Sequence, residues 1–216
     1  FSKIPGLPIA YWISSNMYLV FDNPPISSQF IPKFGMSVGD GERFTRFWFE
    51  LAQCDIAFEC SNENEYKLQN RKWCVVDKGG TFRRWYGNKT NILWWKNNGV
   101  DIKTHPKSAV RSPQFFFKPH ISWTLVSSGA YSARFFEKGF LLDTASNCLY
   151  FPNGRDPFVV LGYLNSKVAS NILSILNPTI NMSCGVVGSV DFNFVKSEKI
   201  ERLVRHSISI SLADCD

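Results

Sequence analysis

The sequence has no run of about 18 consecutive apolar residues, so no membrane-spanning helix is expected. Its opening stretch, FSKIPGLPIAYW, has no charged region leading into an apolar one, and no secretory signal is read there. The six cysteines (Cys54, Cys60, Cys74, Cys148, Cys184 and Cys215) fall in no C-x-x-C spacing, and only His105, His120 and His206 could join them. That pattern argues against a zinc cluster. It suits reduced thiols acting as small buried apolar residues, and with them a cytoplasmic location. H-E-x-x-H and P-loop signatures are missing, and so are internal repeats and low-complexity tracts.

What is there is a chain of 216 residues, 44% hydrophobic and 19% charged, long enough for a sizeable core. Aromatic residues reach 15%, with 19 phenylalanines, which points to a sheet-rich body. Short apolar segments at 73–76, 91–95, 110–117, 121–126 and 139–143 have the length and residue types of strands. Thr45–Gln53 fits a helix or an aromatic strand, and CSNENEYKLQN (60–70) reads as a polar, turn-rich connection. From 158 to 176, apolar residues recur at Leu161, Leu164, Val168, Ile172 and Ile175, which predicts one amphipathic helix ending before Pro178, with Asn165 and Lys167 facing out. A second helical period starts at Glu198. Mixed strands followed by helices predict an α+β fold: a mostly antiparallel, twisted sheet packed with helices, and a helical C-terminal third.

Charge is concentrated in one place. Residues 71–96 hold seven basic side chains (Arg71, Lys72, Lys78, Arg83, Arg84, Lys89, Lys96) against Asp77 alone, and the remainder of the chain is neutral. Trp73, Phe82, Trp85, Tyr86, Trp94 and Trp95 are interleaved with them. Cations attract phosphates irrespective of sequence and aromatic faces can stack on bases, so this window points to nucleic acid. Each of its tryptophans could equally be core, and each cation merely solvated.

Two enzyme-like motifs fail on inspection. Asn23-Pro24-Pro25 after Met17–Phe21 has the form of an amino-methyltransferase tetrapeptide, but Ile26 occupies the position where an aromatic would stack on a flipped base. A downstream Gly-rich imitation, Cys184-Gly185-Val186-Val187-Gly188, lacks an acidic partner for a cofactor ribose. The motif is read as a loop. Glu63-Asn64-Glu65-Tyr66-Lys67 has nuclease-like letters in what reads as a solvated turn.

Four segments in order resemble the C-terminal half of the adenine-specific DNA methyltransferases of BREX phage-defence systems. They are Lys3–Trp12 (KIPGLPIAYW), Gly35–Phe44 (GMSVGDGERF), Lys78–Asn88 (KGGTFRRWYGN), and Leu161–Lys167 (LGYLNSK) together with Leu176–Thr179 (LNPT). The chain departs from the family at Val38, where a Thr is usual, and at Gly41, where an Asn is usual, so hydroxyl or amide contacts from those two positions are not available.

The resemblance implies a target-recognition region cut from a longer protein, with 1–34 as a connector, 35–195 as the DNA-binding domain and 196–216 as the start of a C-terminal helix. It implies no cofactor here and S-adenosylmethionine in an upstream domain. The implied partners are double-stranded DNA, that methyltransferase domain, and other defence proteins or DNA-mimicking inhibitors. Lys78, Arg83, Arg84 and Lys89 would straddle the DNA backbone, with Gly79, Gly80 and Gly87 letting phosphates approach. Arg83 or Arg84 could read a guanine and Asn88 an adenine, while Trp85 and Tyr86 would support the loop from beneath. Gly39 and Asp40, with Gly41 and Arg43, would make a second contact or a joint to the catalytic domain. Two other readings stay open: a specificity subunit acting in trans, and a protein-interaction module.

Overall fold

The computed structural model describes residues 4–6, 13–14, 18–152 and 155–215. The KIPGLPIAYW segment and Met17 fall largely or wholly outside these. The fold is α+β. One sheet is fully antiparallel, in the order β1 (Ile31–Phe34), β9 (Ser146–Tyr150), β6 (His120–Thr124), β7 (Ala133–Phe136). The second is mixed: β2 (Thr45–Phe47), β5 (Asn91–Trp94), β4 (Trp73–Asp77) and β3 (Ile56–Ala57), with β8 (Leu141–Leu142) pairing β4 in parallel beyond β3.

Strand alternation sorts the antiparallel sheet into two faces. Ile121, Trp123, Ala133 and Leu149 point into a core shared with the C-terminal helices α4 (Pro157–Leu164), α5 (Lys167–Leu176), α6 (Cys184–Gly188) and α7 (Glu198–Ala213). Cys148 and Tyr150 point the other way, into a core shared with Cys74, Val76, Leu93 and Leu141 of the mixed sheet. Each fully buried large apolar side chain in these cores contributes roughly 1.5–3 kcal/mol. The small helices α1 (Gly41–Phe44), α2 (Glu63–Gln69) and α3 (Lys96–Lys103) decorate the mixed sheet.

Several local expectations give way to particular side chains. Residues 110–117 form no strand: Pro113 supplies no N–H to a ladder and starts a 3-10 turn, Pro113–Phe115. The connection 60–70 contains α2, because the Asn62 side chain accepts from the N–H groups of Asn64 and Glu65, both at 3.0 Å. Within it, Lys67 and Glu63 pair at 2.6 Å across one helical turn. The helix expected over 158–176 is two helices bent by 68°, since Ser166 caps α5 through Ala169 N. Asn165 does not face out. It is buried, and its amide clasps Ala133 N and Ala133 O, each at 2.9 Å. Leu19–Asp22 is a 3-10 turn rather than the end of a strand, and Ile26 is fully buried.

Among the described residues, no single helix is long and apolar enough to cross a membrane, and no group of three or more His, Cys, Asp or Glu could hold a metal ion. The six cysteines are free.

Candidate nucleic-acid interface

Strands β4 and β5 pair antiparallel, Trp73 opposite Trp94 and Val75 opposite Ile92, and this splits the basic window in two. Arg71, Lys72 and Lys96 gather at one end of the hairpin, and Lys78–Lys89 close the other. At about 3.3 Å per residue, some 20 Å separates Lys72 from Lys78 across β4. Two of the first group are engaged locally: Lys72 pairs with Asp55 at 3.2 Å, and Arg71 donates to Cys54 O.

The Lys78–Lys89 loop is built from its base upward. Strand β4 ends on Asp77, which is fully buried. Its carboxylate accepts from Ser146 Oγ at 2.6 Å and Gly79 N at 3.3 Å, and His120 Nε2 lies 3.3 Å away. Burial pushes this carboxyl up, but hydrogen bonding and charge from His120, with Arg134 and Ser122 behind, outweigh it and leave the pKa below the ordinary value. Arg134 is fully buried too, and its Nη2 lies 3.5 Å from Thr124 Oγ1. Burial draws its pKa down against the opposing charge of Asp77, although a guanidinium keeps its proton.

From that base the chain turns through two glycines. Gly79 has φ +71°, and a Cβ there would stand 2.9 Å from Ala145 O. Gly80 has φ +131°, with the Asn88 side chain 2.8 Å from the position of a Cβ. Asn88 itself closes the loop, donating from Nδ2 to Thr81 O at 2.8 Å. The loop is then pinned to the edge of β7: Trp85 N donates to Ala133 O at 3.0 Å, and Phe135 N donates to Trp85 O at 2.9 Å. The Trp85 ring packs against the helical core.

The loop cations differ sharply in availability. Lys89 is turned inward with its side chain 12% exposed, paired with Glu137, and its Nζ lies 3.7 Å from the Tyr86 ring centroid. Burial lowers its pKa, with the Glu137 charge opposing. Arg83 Nη1 meets Asp214 Oδ2 at 3.1 Å, an exposed contact that ties the loop to the end of α7. Arg84 sits 5.5 Å over the ring of Phe82, which is half exposed. Lys78 Nζ reaches Thr45 Oγ1 at 3.2 Å and lies 3.7 Å from where a Gly41 Cβ would be.

Through that lysine the two Gly-rich segments meet. Gly39 is walled by Ser108 and His105, while Asp40 caps α1 by accepting from Arg43 N at 3.0 Å. The Arg43 guanidinium lies over Phe44 at 4.9 Å. Gly39 and Asp40 therefore shape the turn, and Arg43 and Lys78 are the groups it presents. Beyond the turn, Phe47, Trp48 and Phe49 are between 41% and 62% exposed, with the Phe47 and Phe49 rings parallel at 5.2 Å. The sequence reading passed over that patch and the buried Asp77–His120–Arg134–Ser146 group. Isolated polar letters inside apolar strand patterns were the one available signal for the latter.

The enzyme-like motifs take structural roles. Asn23 Nδ2 caps its own turn at Val20 O, 3.0 Å, and Pro25 bridges to Asp191. Cys184–Gly188 is a helix capped by Ser183, and a Cβ on Gly188 would stand 3.0 Å from Pro32 Cγ. Gly188 is thus packed closely against β1.

No protein-family profile matches the chain. It is similar to the adenine-specific methyltransferase PglX of Lacticaseibacillus casei (strain Zhang), 32% identical over 223 residues, covering 99% of this chain and 18% of that protein. It is likewise similar to the adenine-specific methyltransferase BrxX of Escherichia coli O9:H4 (strain HS), 31% identical over 216 residues, covering 99% of this chain and 17% of that protein. The chain thus spans less than a fifth of the length of the curated relatives it matches.

Proposed function

We propose that this chain is the DNA-recognition part of an adenine-specific DNA methyltransferase acting in phage defence, and that it carries no methyl-transfer chemistry itself. The observation that carries the reading is the meeting of the Lys78–Asn88 loop with the Gly39–Arg43 turn at Lys78, whose Nζ reaches Thr45 Oγ1, with Arg83 and Arg84 farther along the same loop. Likeness over nearly the whole chain to part of two adenine-specific methyltransferases supports the enzyme class. S-adenosylmethionine and the catalytic groups would then belong to other parts of the longer protein, which would be the first partner of this region.

The roles within the loop follow from side-chain freedom. Arg84 and Arg83 contact phosphates or a guanine edge, with Arg83 exchanging Asp214 for the nucleic acid. Lys78 and Arg43 supply the flanking phosphate contacts. Lys89, Asn88, Trp85 and Tyr86 hold the loop in shape. Four phosphates at roughly 0.9 each give a slope of log affinity against log salt near −3.6. Arg83→Ala with Arg84→Ala should weaken duplex binding and flatten that slope by about 1.8. Unchanged affinity and slope would sink the reading.

A second reading, a protein-interaction surface, has its own observation. The exposed Phe47-Trp48-Phe49 cluster is flanked by Arg43, Arg46 and Lys78 against Asp40, Glu42 and Glu50, and this balance of charge suits a protein partner better than DNA.

A further inference from the structure

Beneath the tip of the basic loop lies a hollow of about 60 Å³, bounded by Gly80, Thr81, Thr124, Ser127, Tyr131 and Thr179 among others. At roughly 10–15 Å³ per water, it has room for about four to six waters, the size of a tetrahedral oxyanion and well short of a purine. None of its lining residues is acidic.

Donors surround it. Ser127 Oγ accepts from Gly129 N at 3.2 Å, which leaves its O–H to donate, and the exposed Thr81 contributes a second hydroxyl. Thr124 donates to Gly80 O at 2.9 Å, and behind Thr124 stands the buried Arg134, whose Nε and Nη1 have no hydrogen-bond partner. The Tyr131 hydroxyl is buried and unpartnered as well. Arg84 is the nearest loop cation in sequence: its guanidinium lies 5.5 Å over the ring of the lining residue Phe82, with Nε buried and unpartnered. Buried donors of this kind are costly unless an acceptor arrives, and a hollow lined by hydroxyls with no carboxylate favours an anion.

We infer that this hollow holds one phosphoryl group of the DNA backbone, received by the Thr81 and Ser127 hydroxyls and the Arg84 guanidinium. The inference rests on the DNA-recognition reading and adds to it a fixed phosphate position that orients the loop on the duplex. A free phosphate ion has the same chemistry and is the competing source.

The test uses the full chain with Thr81→Val and Ser127→Ala combined, read by duplex affinity across salt and by thermal protection from inorganic phosphate against chloride at matched ionic strength. Thr81 is exposed and Ser127 half-buried, so the variant should fold, and its melting temperature in chloride checks this. Hydroxyls neutralise no charge, so affinity for DNA should fall about tenfold while the salt slope stays as in the unmodified chain. If DNA affinity is unchanged and only phosphate protection disappears, the hollow takes free phosphate and the backbone assignment is overturned. If neither readout moves, the hollow is no anion site. The arginine double variant separates the two claims: if it binds DNA normally the recognition reading fails, while phosphate protection still judges the hollow.

Discussion

Replacing Asp77 by Asn tests whether the base of the loop is held by charge rather than by shape. The substitution preserves volume and leaves one oxygen to accept from Ser146 Oγ or Gly79 N. It removes the negative charge facing His120 and weakens the field that favours the fully buried Arg134 guanidinium, which lies beyond ion-pair distance of Asp77. Hydrogen bonds to a charged group are worth about 1.5–3 kcal/mol. For a chain of 216 residues, each kcal/mol corresponds to about 2–4 °C, so the melting temperature should fall by about 3–12 °C at pH 7. Urea and thermal unfolding of Asp77→Asn, Arg134→Met and the double variant form a cycle that isolates the coupling. The double variant should recover at least half of the loss, because the buried guanidinium is then gone. A single-variant cost below about 1 kcal/mol, or strict additivity, would refute the electrostatic account. The pH dependence gives a second readout. The folded-state pKa of Asp77 lies below its unfolded value near 3.9, so its contribution is complete above about pH 4 and is lost as pH falls through the lowered folded value. Asp77→Asn should therefore flatten the acid limb of the stability curve.

Asp191 should behave in the opposite sense. Burial and the charge of Asp22 push its carboxyl up to about 6, so stability is lost as pH rises from about 4 to about 6. Asp191→Asn should raise stability by about 1–2 kcal/mol at pH 7 and leave it unaltered at pH 4, as read by denaturant midpoints. Asn165→Ala removes the clasp on both backbone groups of Ala133 and should cost about 2–4 kcal/mol by urea unfolding. A loss below 1 kcal/mol would mean that water replaces the amide. Gly79→Ala places a methyl 2.9 Å from Ala145 O at a left-handed position. It should cost about 1–3 kcal/mol and weaken duplex binding with the salt slope retained, measurable by fluorescence anisotropy.

The parts of the fold that were legible in the sequence are those where apolar spacing alone decides. The α+β class, β4, β5, β6 and α7 all follow from such patterns. The misses lie where one side chain overrides the pattern. The Asn62 cap turns a polar stretch into α2, Pro113 cancels an aromatic strand, and Ser166 with Asn165 breaks a continuous helical stripe. In the candidate site, the glycines and the cluster of cations could be read directly, because turn geometry and charge are properties of residue type. Which cations remain free could not be read. Lys89 is withdrawn by Glu137, 48 residues away, and Arg83 is engaged by Asp214, 131 residues away. Pairings at such distances are set by the fold, not by local sequence.

The attachment of Trp85 to both the β7 edge and the helical core has a bearing on engineering. A graft of Lys78–Lys89 onto a related scaffold would carry the arginines but leave behind the groups that aim them. Among those groups are Ala133 and Phe135, which pin Trp85, Asn165, which locks Ala133 from the helical side, and Asp77 at the root. Transfer of the loop with its shape intact should succeed only when hairpin, β7 and α4 travel as one cassette.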